Sequence, residues 1–290
     1  MKVDVQCHVF PKRYAEMLIK YSKFPKAHET GGKLFLDFNG KQTLVISDEQ
    51  FSAENVIKQM DKGKIDISLI SCNIPDPCML PEEYVAEACT IINDDVAEII
   101  EANKERFHGI AFIPWTIPDA ALAEINRTKE MGYKGVMLFS HNGGKMVDDP
   151  SMEPLYARCA ELGLPILIHP TIPTWYEHVG DYGMIAVMSF VVDTSFALMR
   201  LIRSGIIERY PDMKLVMPHA GGVLPYLDGR ISYQPKPMRQ GLPSGNSRPA
   251  SEHLRKGNIW YDTANPSAEI LAFFRKYTDI GKIMFGTDYP

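Results

Sequence analysis

The sequence lacks an excess of positive charge. Its 290 residues hold 31 Lys and Arg against 36 Asp and Glu, which gives a formal net charge of −5. A domain that binds nucleic acid carries a clustered basic surface, and this composition argues against one. We therefore expect small molecules, and not nucleic acid, as partners.

The sequence also lacks long apolar runs. No stretch reaches the roughly 18 to 20 apolar residues of a membrane span, and the start, Met1 to Asp4, lacks the apolar core of a signal peptide. Cysteine is scarce as well, with five residues. Their number is odd and they form no C-x-x-C pair, which indicates reduced thiols. We expect a cytoplasmic protein with no membrane partner.

The sequence does contain a regular alternation of β-rich and helical segments. Apolar residues run almost continuously through several short segments, such as Ile166-Leu167-Ile168, which is typical of strands buried on both faces. Eight strands are predicted: Val3 to Gln6, Asp66 to Cys72, Gly109 to Ile113, Gly135 to Ser140, Pro165 to His169, Lys214 to His219, Asn258 to Thr263 and Lys282 to Thr287. The predicted helices are Ala53 to Asp61, Pro81 to Arg106, Asp119 to Met131, Met152 to Leu162 and a long one around Ser189 to Arg209. This α/β pattern predicts a (β/α)8 barrel, the TIM barrel.

One segment interrupts the alternation. Asn39-Gly40 lies between two strand-like runs within Lys33 to Ile46, and Asn-Gly is typical of a two-residue hairpin turn. We interpret the segment as a β-hairpin insertion after the first barrel strand. The sequence stops at Pro290, directly after the eighth strand. We therefore expect a single domain over residues 1–290, truncated at its C-terminus, with the eighth helix absent from this chain.

Polar side chains stand at the carboxyl ends of four predicted strands. His8 and Asp288 follow strands one and eight, and His169 and His219 stand at the ends of strands five and six. Catalytic groups of TIM barrels lie at this end, and imidazoles with a carboxylate form a ligand set for Zn²⁺ or another first-row metal. Gln6 shares the face of His8, because strand side chains alternate. Each residue alone is explained by structure, but their joint placement predicts one site.

A further histidine follows the fourth strand. His141 lies in the segment Ser140-His141-Asn142-Gly143-Gly144 and is a candidate for contact with substrate. The turn-forming Asn-Gly pair explains the same segment equally well, and both interpretations stay open.

These motifs together resemble the amidohydrolase superfamily, and within it the branch that contains aminocarboxymuconate semialdehyde decarboxylase and related decarboxylases. The resemblance covers nearly the whole chain. Its motifs are the opening Asp4 to Pro11, the hairpin insertion, Gln59 to Gly63, Leu167 to Pro170, Pro218 to Gly222, Asp228 to Ile231 and Phe285 to Pro290. The resemblance implies an enzyme with one divalent metal, commonly zinc.

Carried over by position, the resemblance also implies residue roles. His8, His169 and Asp288 would be metal ligands. His219 would act as an acid or base and would share the proton transfers with Asp288. Arg230 would bind a substrate carboxylate across a dimer interface, which implies a homodimer and a small carboxylate substrate.

Two positions depart from the pattern of this branch. Gln6 stands where strand one is expected to supply another histidine ligand, and an amide oxygen is a harder, weaker donor than imidazole nitrogen. Gln6 leaves Mn²⁺ or Mg²⁺ as alternatives to zinc, and also a site without metal in which Gln6 binds the substrate. Leu44 stands where the muconate semialdehyde enzymes carry a substrate-binding arginine, which argues against their substrate.

We expect a decarboxylase that acts on a small carboxylated aromatic or dienoic acid. The same groups would also serve a hydrolase of a lactone, an amide or a carbon–carbon bond, so the reaction type stays open. A third interpretation is a noncatalytic binding protein with a degenerate site at Gln6. The four residues His8, His169, His219 and Asp288 argue against it, because a degenerate site would be free to lose them.

Overall fold

Eight parallel strands form the centre of the molecule. The computed structural model describes residues 1–142, 144–232, 245–264 and 267–290, and the eight strands pair side by side in chain order. The strands are Val3–His8, Ile67–Ser71, Phe107–Phe112, Gly135–Phe139, Ile166–His169, Leu215–Met217, Ile259–Asp262 and Ile283–Met284. All eight predicted strands are confirmed, and the architecture is the expected (β/α)8 barrel.

The segment after the eighth strand closes the barrel against the first strand. The backbone N–H of His8 donates to the carbonyl of Tyr289 at 2.7 Å. In the opposite direction, the N–H of Asp288 donates to the carbonyl of Gln6 at 2.9 Å. These bonds bring Gln6, His8 and Asp288 side by side at the carboxyl end of the barrel.

Helices surround the barrel, which explains its apolar strands. Gly135–Phe139 and Ile166–His169 are buried at every position, because such strands have the barrel interior on one face and helices on the other. The helices are Lys12–Tyr21, Asp48–Phe51, Ala53–Gly63, Glu82–Ala102, Pro118–Glu130, Glu153–Glu161, Tyr176–Val179, Phe190–Arg203, Ile206–Arg209, Asp228–Ile231, Ala250–Lys256 and Ala268–Tyr277.

The predicted helices are present with small shifts at their ends, with one exception. The helix expected from Ser189 to Arg209 is two helices, Phe190–Arg203 and Ile206–Arg209. Gly205 separates them with a φ of 79°. This left-handed conformation ends helices and is one that glycine adopts without strain.

One helical segment is longer and more apolar than expected. Asp181–Arg203 is long and apolar enough to cross a membrane by length and composition, with a mean hydropathy of 1.8 in an 18-residue window. Half of that window is buried inside the structure, and Ala197, Leu198 and Leu201 are fully buried. The buried core helix of a soluble protein passes the same test, so the segment is weak evidence for a membrane.

The insertion after the first strand is a three-stranded antiparallel sheet. Lys33–Asp37 pairs with Lys26–Thr30 on one side and with Thr43–Ile46 on the other. Asn39 and Gly40 form the predicted turn, with φ of 56° and 71°. The hairpin is confirmed, and Lys26–Thr30 adds a strand that its polar sequence did not indicate.

All five cysteines are buried and free. Burial raises the pKa of each thiol, for Cys159 to about 12 and further for the other four. The thiolate is the reactive form of cysteine. These residues therefore behave as small core side chains at neutral pH.

Candidate metal centre and active site

Three of the predicted site residues come together at the carboxyl end of the barrel. One ligand atom from each of His8, His169 and Asp288 lies within 4.8 Å of the others. Both histidines are the last residues of their strands, and closure of the barrel brings Asp288 beside His8. The placement expected from the strand ends therefore holds for these three residues.

Backbone carbonyl groups orient the two imidazoles. The Nδ1 of His8 lies 3.1 Å from the Cys72 carbonyl oxygen, and the Nδ1 of His169 lies 2.7 Å from that of Pro170. A carbonyl oxygen only accepts, so each Nδ1 carries the hydrogen and each Nε2 presents a lone pair. Burial, and to a lesser extent His8, lowers the pKa of His169 to about 3. His169 is therefore a neutral imidazole, the form that binds metals.

Asp288 is held as a carboxylate by its neighbours. Its Oδ1 accepts a hydrogen bond from Gln6 Nε2 at 2.6 Å and lies 3.2 Å from His8 Nε2. Its Oδ2 lies 3.4 Å from His219 Nε2. Burial acts to raise the pKa of Asp288, but the neighbouring imidazoles of His219 and His8 outweigh it and hold the pKa well below its usual range.

The facing atoms of His8 and Asp288 fit a cation. With the hydrogen of His8 on Nδ1, its Nε2 lone pair faces a carboxylate oxygen 3.2 Å away. Two lone pairs at this distance repel each other unless a proton or a metal ion lies between them. Two imidazole nitrogens and one carboxylate form a ligand set for a first-row divalent ion and leave further positions open. His8, His169 and Asp288 therefore fit such an ion.

His219 stands next to this ligand set. Its backbone N–H donates to Asp262 Oδ1 at 2.8 Å, and its Nε2 lies 3.4 Å from Asp288 Oδ2. Burial acts to lower the pKa of His219, but the hydrogen bond and the charge of Asp288 raise it above its ordinary value. His219 is therefore suited to hold a proton in this cluster.

The turn that carries His219 is strained and tightly seated. His219 and Asp288 have φ of 54° and 58°, in a region that side chains other than glycine rarely adopt and that concentrates at functional sites. Gly222 has a φ of 70°, and a Cβ there would collide with Ser195 Oγ on the helix Phe190–Arg203. The close approach requires glycine and fixes the turn against this helix.

A cavity of about 640 Å³ opens above the cluster. His169 and Asp288 line it together with Val45 and Val187, and the exposed fraction rises from 6% at His169 to 41% at Val45 and 80% at Val187. His169, His219 and Asp288 therefore form the floor of the cavity. Its mouth is formed by the three-stranded insertion, called the hairpin sheet below, and by the helical segment Asp181–Arg203. This volume is typical of a site for a small molecule.

Three other predicted site residues do not line the cavity. The amide of Gln6 is bonded to Asp288. His141 is 5% exposed, and its Nε2 lies 3.4 Å from Asp193 Oδ1. Arg230 is exposed and lines a separate surface groove. Among the residues that the structure describes, the cavity lining includes none of Gln6, His141 and Arg230.

One lining residue was missed by the sequence reasoning. Asn73 follows the second strand and contributes to the cavity wall. Its Oδ1 accepts the N–H of Ile74 at 2.7 Å, which leaves its amino group as a donor for a ligand. The signal in the sequence is its position, because Asn73 follows the carboxyl end of strand two as His141 follows that of strand four.

A buried carboxylate, Asp76, also follows the second strand. Asp76 is 1% exposed, and its two oxygens accept the Cys78 N–H and the Trp115 Nε1–H, each at 2.9 Å. Burial raises the pKa of Asp76 from 3.8 to about 6, against the smaller opposing effect of these bonds. Folding therefore makes this carboxylate harder to ionise than it is in the unfolded chain.

Asp76→Asn is expected to remove a pH-dependent loss of stability. Because the pKa of Asp76 is raised by folding, wild-type stability falls as the pH rises from about 4 to about 6, by up to about 3 kcal/mol. The variant loses a hydrogen bond worth about 1 kcal/mol at every pH, but it gains on the wild type across this range. Urea unfolding at several pH values measures the difference, and a constant difference would contradict the raised pKa.

Comparison with known proteins agrees with this geometry. Residues 3–290 match the protein family described as Amidohydrolase. The chain is 25% identical over 299 residues to a Dictyostelium discoideum protein named 2-amino-3-carboxymuconate-6-semialdehyde decarboxylase. That match covers 100% of this chain and 82% of the relative.

Solved structures share the fold. The apo structure of IDCase from Metarhizium anisopliae superposes with a TM-score of 0.87 at 25% identity, over 100% of this chain and 84% of that one. A dihydroxybenzoic acid decarboxylase from Polaromonas, solved with manganese and 2-nitroresorcinol, superposes with a TM-score of 0.80 at 20% identity, over 100% and 86%. Since the family match spans nearly the whole chain and the ligand set lies where the strand ends place it, the chain belongs to the amidohydrolase family.

Proposed function

We propose that the chain is a metal-dependent decarboxylase of a small carboxylated aromatic or dienoic acid. One observation carries the proposal: the ligand atoms of His8, His169 and Asp288 converge beside the imidazole of His219 at the floor of a cavity. This arrangement joins a metal ligand set to a group that holds a proton. Two of the similar proteins are named decarboxylases, which favours decarboxylation over hydrolysis.

We propose one divalent ion, held by His8, His169 and Asp288. The resemblance to the family implied zinc, but Gln6 supplies no imidazole nitrogen as a further ligand, and harder donors suit Mn²⁺ and Mg²⁺. The Polaromonas decarboxylase holds manganese. These observations support Mn²⁺ ahead of Zn²⁺ for this chain, with Mg²⁺ as a further alternative.

The residues of the floor divide the chemistry among them. When bound, the metal ion supplies positive charge that stabilises anionic groups of the substrate. Asp288 stays ionised and holds the protonated imidazole of His219 through its Oδ2. His219 Nε2 gives its proton to the carbon that bears the carboxylate. A C–H bond forms there, the bond to the carboxylate breaks, its electron pair restores the ring or diene, and CO2 leaves.

Purified protein loaded in turn with Mn²⁺, Zn²⁺ and Mg²⁺ tests the proposal. Bound metal is measured by mass spectrometry, and hydroxybenzoic acids, dienoic acids, lactones and amides are screened for CO2 release and for hydrolysis. We expect one ion per chain and CO2 release from an acid. Hydrolysis without CO2 would replace the proposal with a hydrolase. A protein that takes up no metal and turns over none of these compounds would instead be a binding protein.

Gln6→His is expected to shift the metal preference towards zinc. The Gln6 amide lies 2.6 Å from Asp288 Oδ1, so an imidazole there brings a softer nitrogen donor to the ligand set. We expect the ratio of Zn²⁺ to Mn²⁺ affinity to rise by at least about tenfold. Chelator competition measures both affinities. Gln6→Glu is the matched control, because its hard oxygen should lower the ratio of Zn²⁺ to Mn²⁺ affinity. The same ratio in the wild type and in both variants would show that Gln6 does not face the ion.

We propose that the chain forms a homodimer through the groove beside Arg230. Phe196, Met199 and Leu227 line this groove with Arg230, and Phe196 is 54% exposed. Exposed apolar surface of this kind marks protein contacts. Arg230 lines the groove and is not among the described residues that line the cavity of its own chain, so its proposed role in substrate binding requires the cavity of the partner subunit.

Arg230→Ala is expected to raise KM about 10- to 100-fold without lowering kcat. A guanidinium pairs bidentately with the substrate carboxylate, and this pair weakens as the carboxylate loses its charge to the ring, so it stabilises the bound substrate more than the transition state. Steady-state kinetics measures both constants. Arg230→Lys keeps the charge without the fork and should be intermediate, and an unchanged KM in both variants would remove Arg230 from substrate binding.

A further inference from the structure

Three apolar walls rise from the polar floor of the cavity. The hairpin sheet forms one wall, the helix Phe190–Arg203 forms another, and the helix Ala268–Tyr277 forms the third. The side chains that define them are Leu44 and Ile46, Phe190 and Val191, and Ile270 and Phe274. A ligand seated on the floor therefore has hydrocarbon on three sides.

Polar groups outside the floor are few. They belong to Asn73, Gln50 and the exposed Tyr226, and Gln50 Oε1 accepts the N–H of Ser47 at 2.8 Å. Within the described ranges, no lysine or arginine lines the cavity. The proposed function uses Arg230 for the carboxylate that leaves as CO2, so among the described residues a second carboxylate has no further guanidinium to pair with.

These surroundings discriminate among substituted acids. An ionised group against an apolar wall loses its hydration and gains no partner, which is strongly unfavourable. A methyl group on the same ring position is removed from water and fills space against Leu44 or Phe190, which is favourable. Discrimination of this kind depends on the walls and not on the chemistry of the floor.

We propose that the cavity selects an aromatic acid with a single carboxylate and a small alkyl substituent, and that Leu44 determines this preference. The inference rests on the proposed decarboxylase function and names its substrate class. The carboxylate lies at the floor, the ring stands between the three walls, and the alkyl group contacts the hairpin sheet.

Leu44 is the hairpin residue placed to set the preference. Ile46 is 3% exposed and belongs to the core, whereas Val45 is 41% exposed at the mouth. Leu44 is half-buried between these extremes, and it pairs in register with the fully buried Leu36. Its backbone is therefore fixed, and a change of its side chain alters the cavity without opening the core.

A matched series of acids tests the proposal on the manganese-loaded protein. The series is 2-hydroxybenzoate with hydrogen, methyl or carboxylate at ring position 4, and the same three groups at position 6. Calorimetry measures the dissociation constant of each compound. We expect the methyl compound that binds better to bind about three- to fivefold more tightly than 2-hydroxybenzoate. Both dicarboxylates should bind at least about 100-fold more weakly than 2-hydroxybenzoate.

Two variants connect the preference to Leu44. Leu44→Arg places a guanidinium on the hairpin wall, and we expect it to tighten binding of a dicarboxylate by at least about tenfold and to weaken binding of the methyl compounds. Leu44→Met preserves volume and apolar character, and it should keep the wild-type order. Circular dichroism establishes whether both variants are folded. If Leu44→Arg does not fold, the wild-type series still tests the preference of the cavity.

The outcomes separate this inference from the function on which it rests. A dicarboxylate that binds the wild type as tightly as the methyl compounds, or no binding by any compound, would overturn the selection. An unchanged order in folded Leu44→Arg would overturn the role of Leu44. CO2 release is measured on the same samples, and the expected binding order without CO2 from any compound would overturn decarboxylation while supporting the cavity preference.

Discussion

His219→Ala is expected to lower the rate of turnover by about 10²- to 10⁴-fold while the bound metal is unchanged. The Nε2 of His219 lies 3.4 Å from Asp288 Oδ2, and in the proposed function it holds the proton that decarboxylation consumes. The ligand atoms belong instead to His8, His169 and Asp288. CO2 release and metal content measured on one sample separate the two roles.

His219→Asn is the matched control for the backbone at this position. The φ of 54° at His219 strains alanine, whereas asparagine adopts this region more readily. Both variants lack the proton, so both should be slow, and His219→Asn should be the more stable. Metal lost in proportion to activity in both proteins would identify His219 as a ligand and contradict its role as a proton donor.

Asp288→Asn is expected to lower metal affinity by at least about 100-fold and to abolish measurable turnover. Replacing a residue that merely supports a ligand costs about 10- to 100-fold in affinity, and Asp288 supplies the charged ligand itself. The change also removes the charge that holds the proton on His219. Titration of the metal-free protein with Mn²⁺ measures the affinity, and CO2 release measures the turnover.

Asp262→Asn makes the same chemical change nearby and serves as the control. Asp262 Oδ1 accepts the N–H groups of His219 at 2.8 Å and of Ala264 at 3.1 Å, and asparagine keeps both bonds. Burial raises the pKa of Asp262 to about 7, so the neutral side chain resembles a form that the wild type already populates. Metal affinity should be retained, and equal loss in both variants would indicate general damage at this end of the barrel.

The ligand set was predictable because its geometry follows from the barrel. Parallel strands in a closed barrel end at one face, so His8 and His169 were expected to lie together from their strand positions alone. The partner of Gln6 was not predictable in this way. Strand alternation places Gln6 on the same face as His8, but its bond to Asp288 joins residues 282 apart and depends on how the last segment docks.

Other features depended on packing that no local pattern encodes. His141 follows a strand end as His169 does, but its imidazole lies near Asp193 of the helix Phe190–Arg203. Which helix covers a strand end is decided by tertiary packing. Lys26–Thr30 has no alternation of apolar residues and forms a strand because Lys33–Asp37 offers it an edge for hydrogen bonds. Both features follow from neighbours remote from the local sequence pattern.

Closure of the barrel by residues 285–289 has a consequence for the order of assembly. Gln6 leaves the ribosome 282 residues before Asp288, so the ligand set is incomplete until the segment after the eighth strand docks. Docking joins two segments that are remote in sequence and carries a large entropic cost of ordering. An ion that binds only the closed form offsets this cost, by about 2.7 kcal/mol at a concentration 100 times its Kd. A metal ion held by His8, His169 and Asp288 would therefore stabilise the closed barrel, and depletion of metal should favour opening at this seam before the rest of the fold is lost.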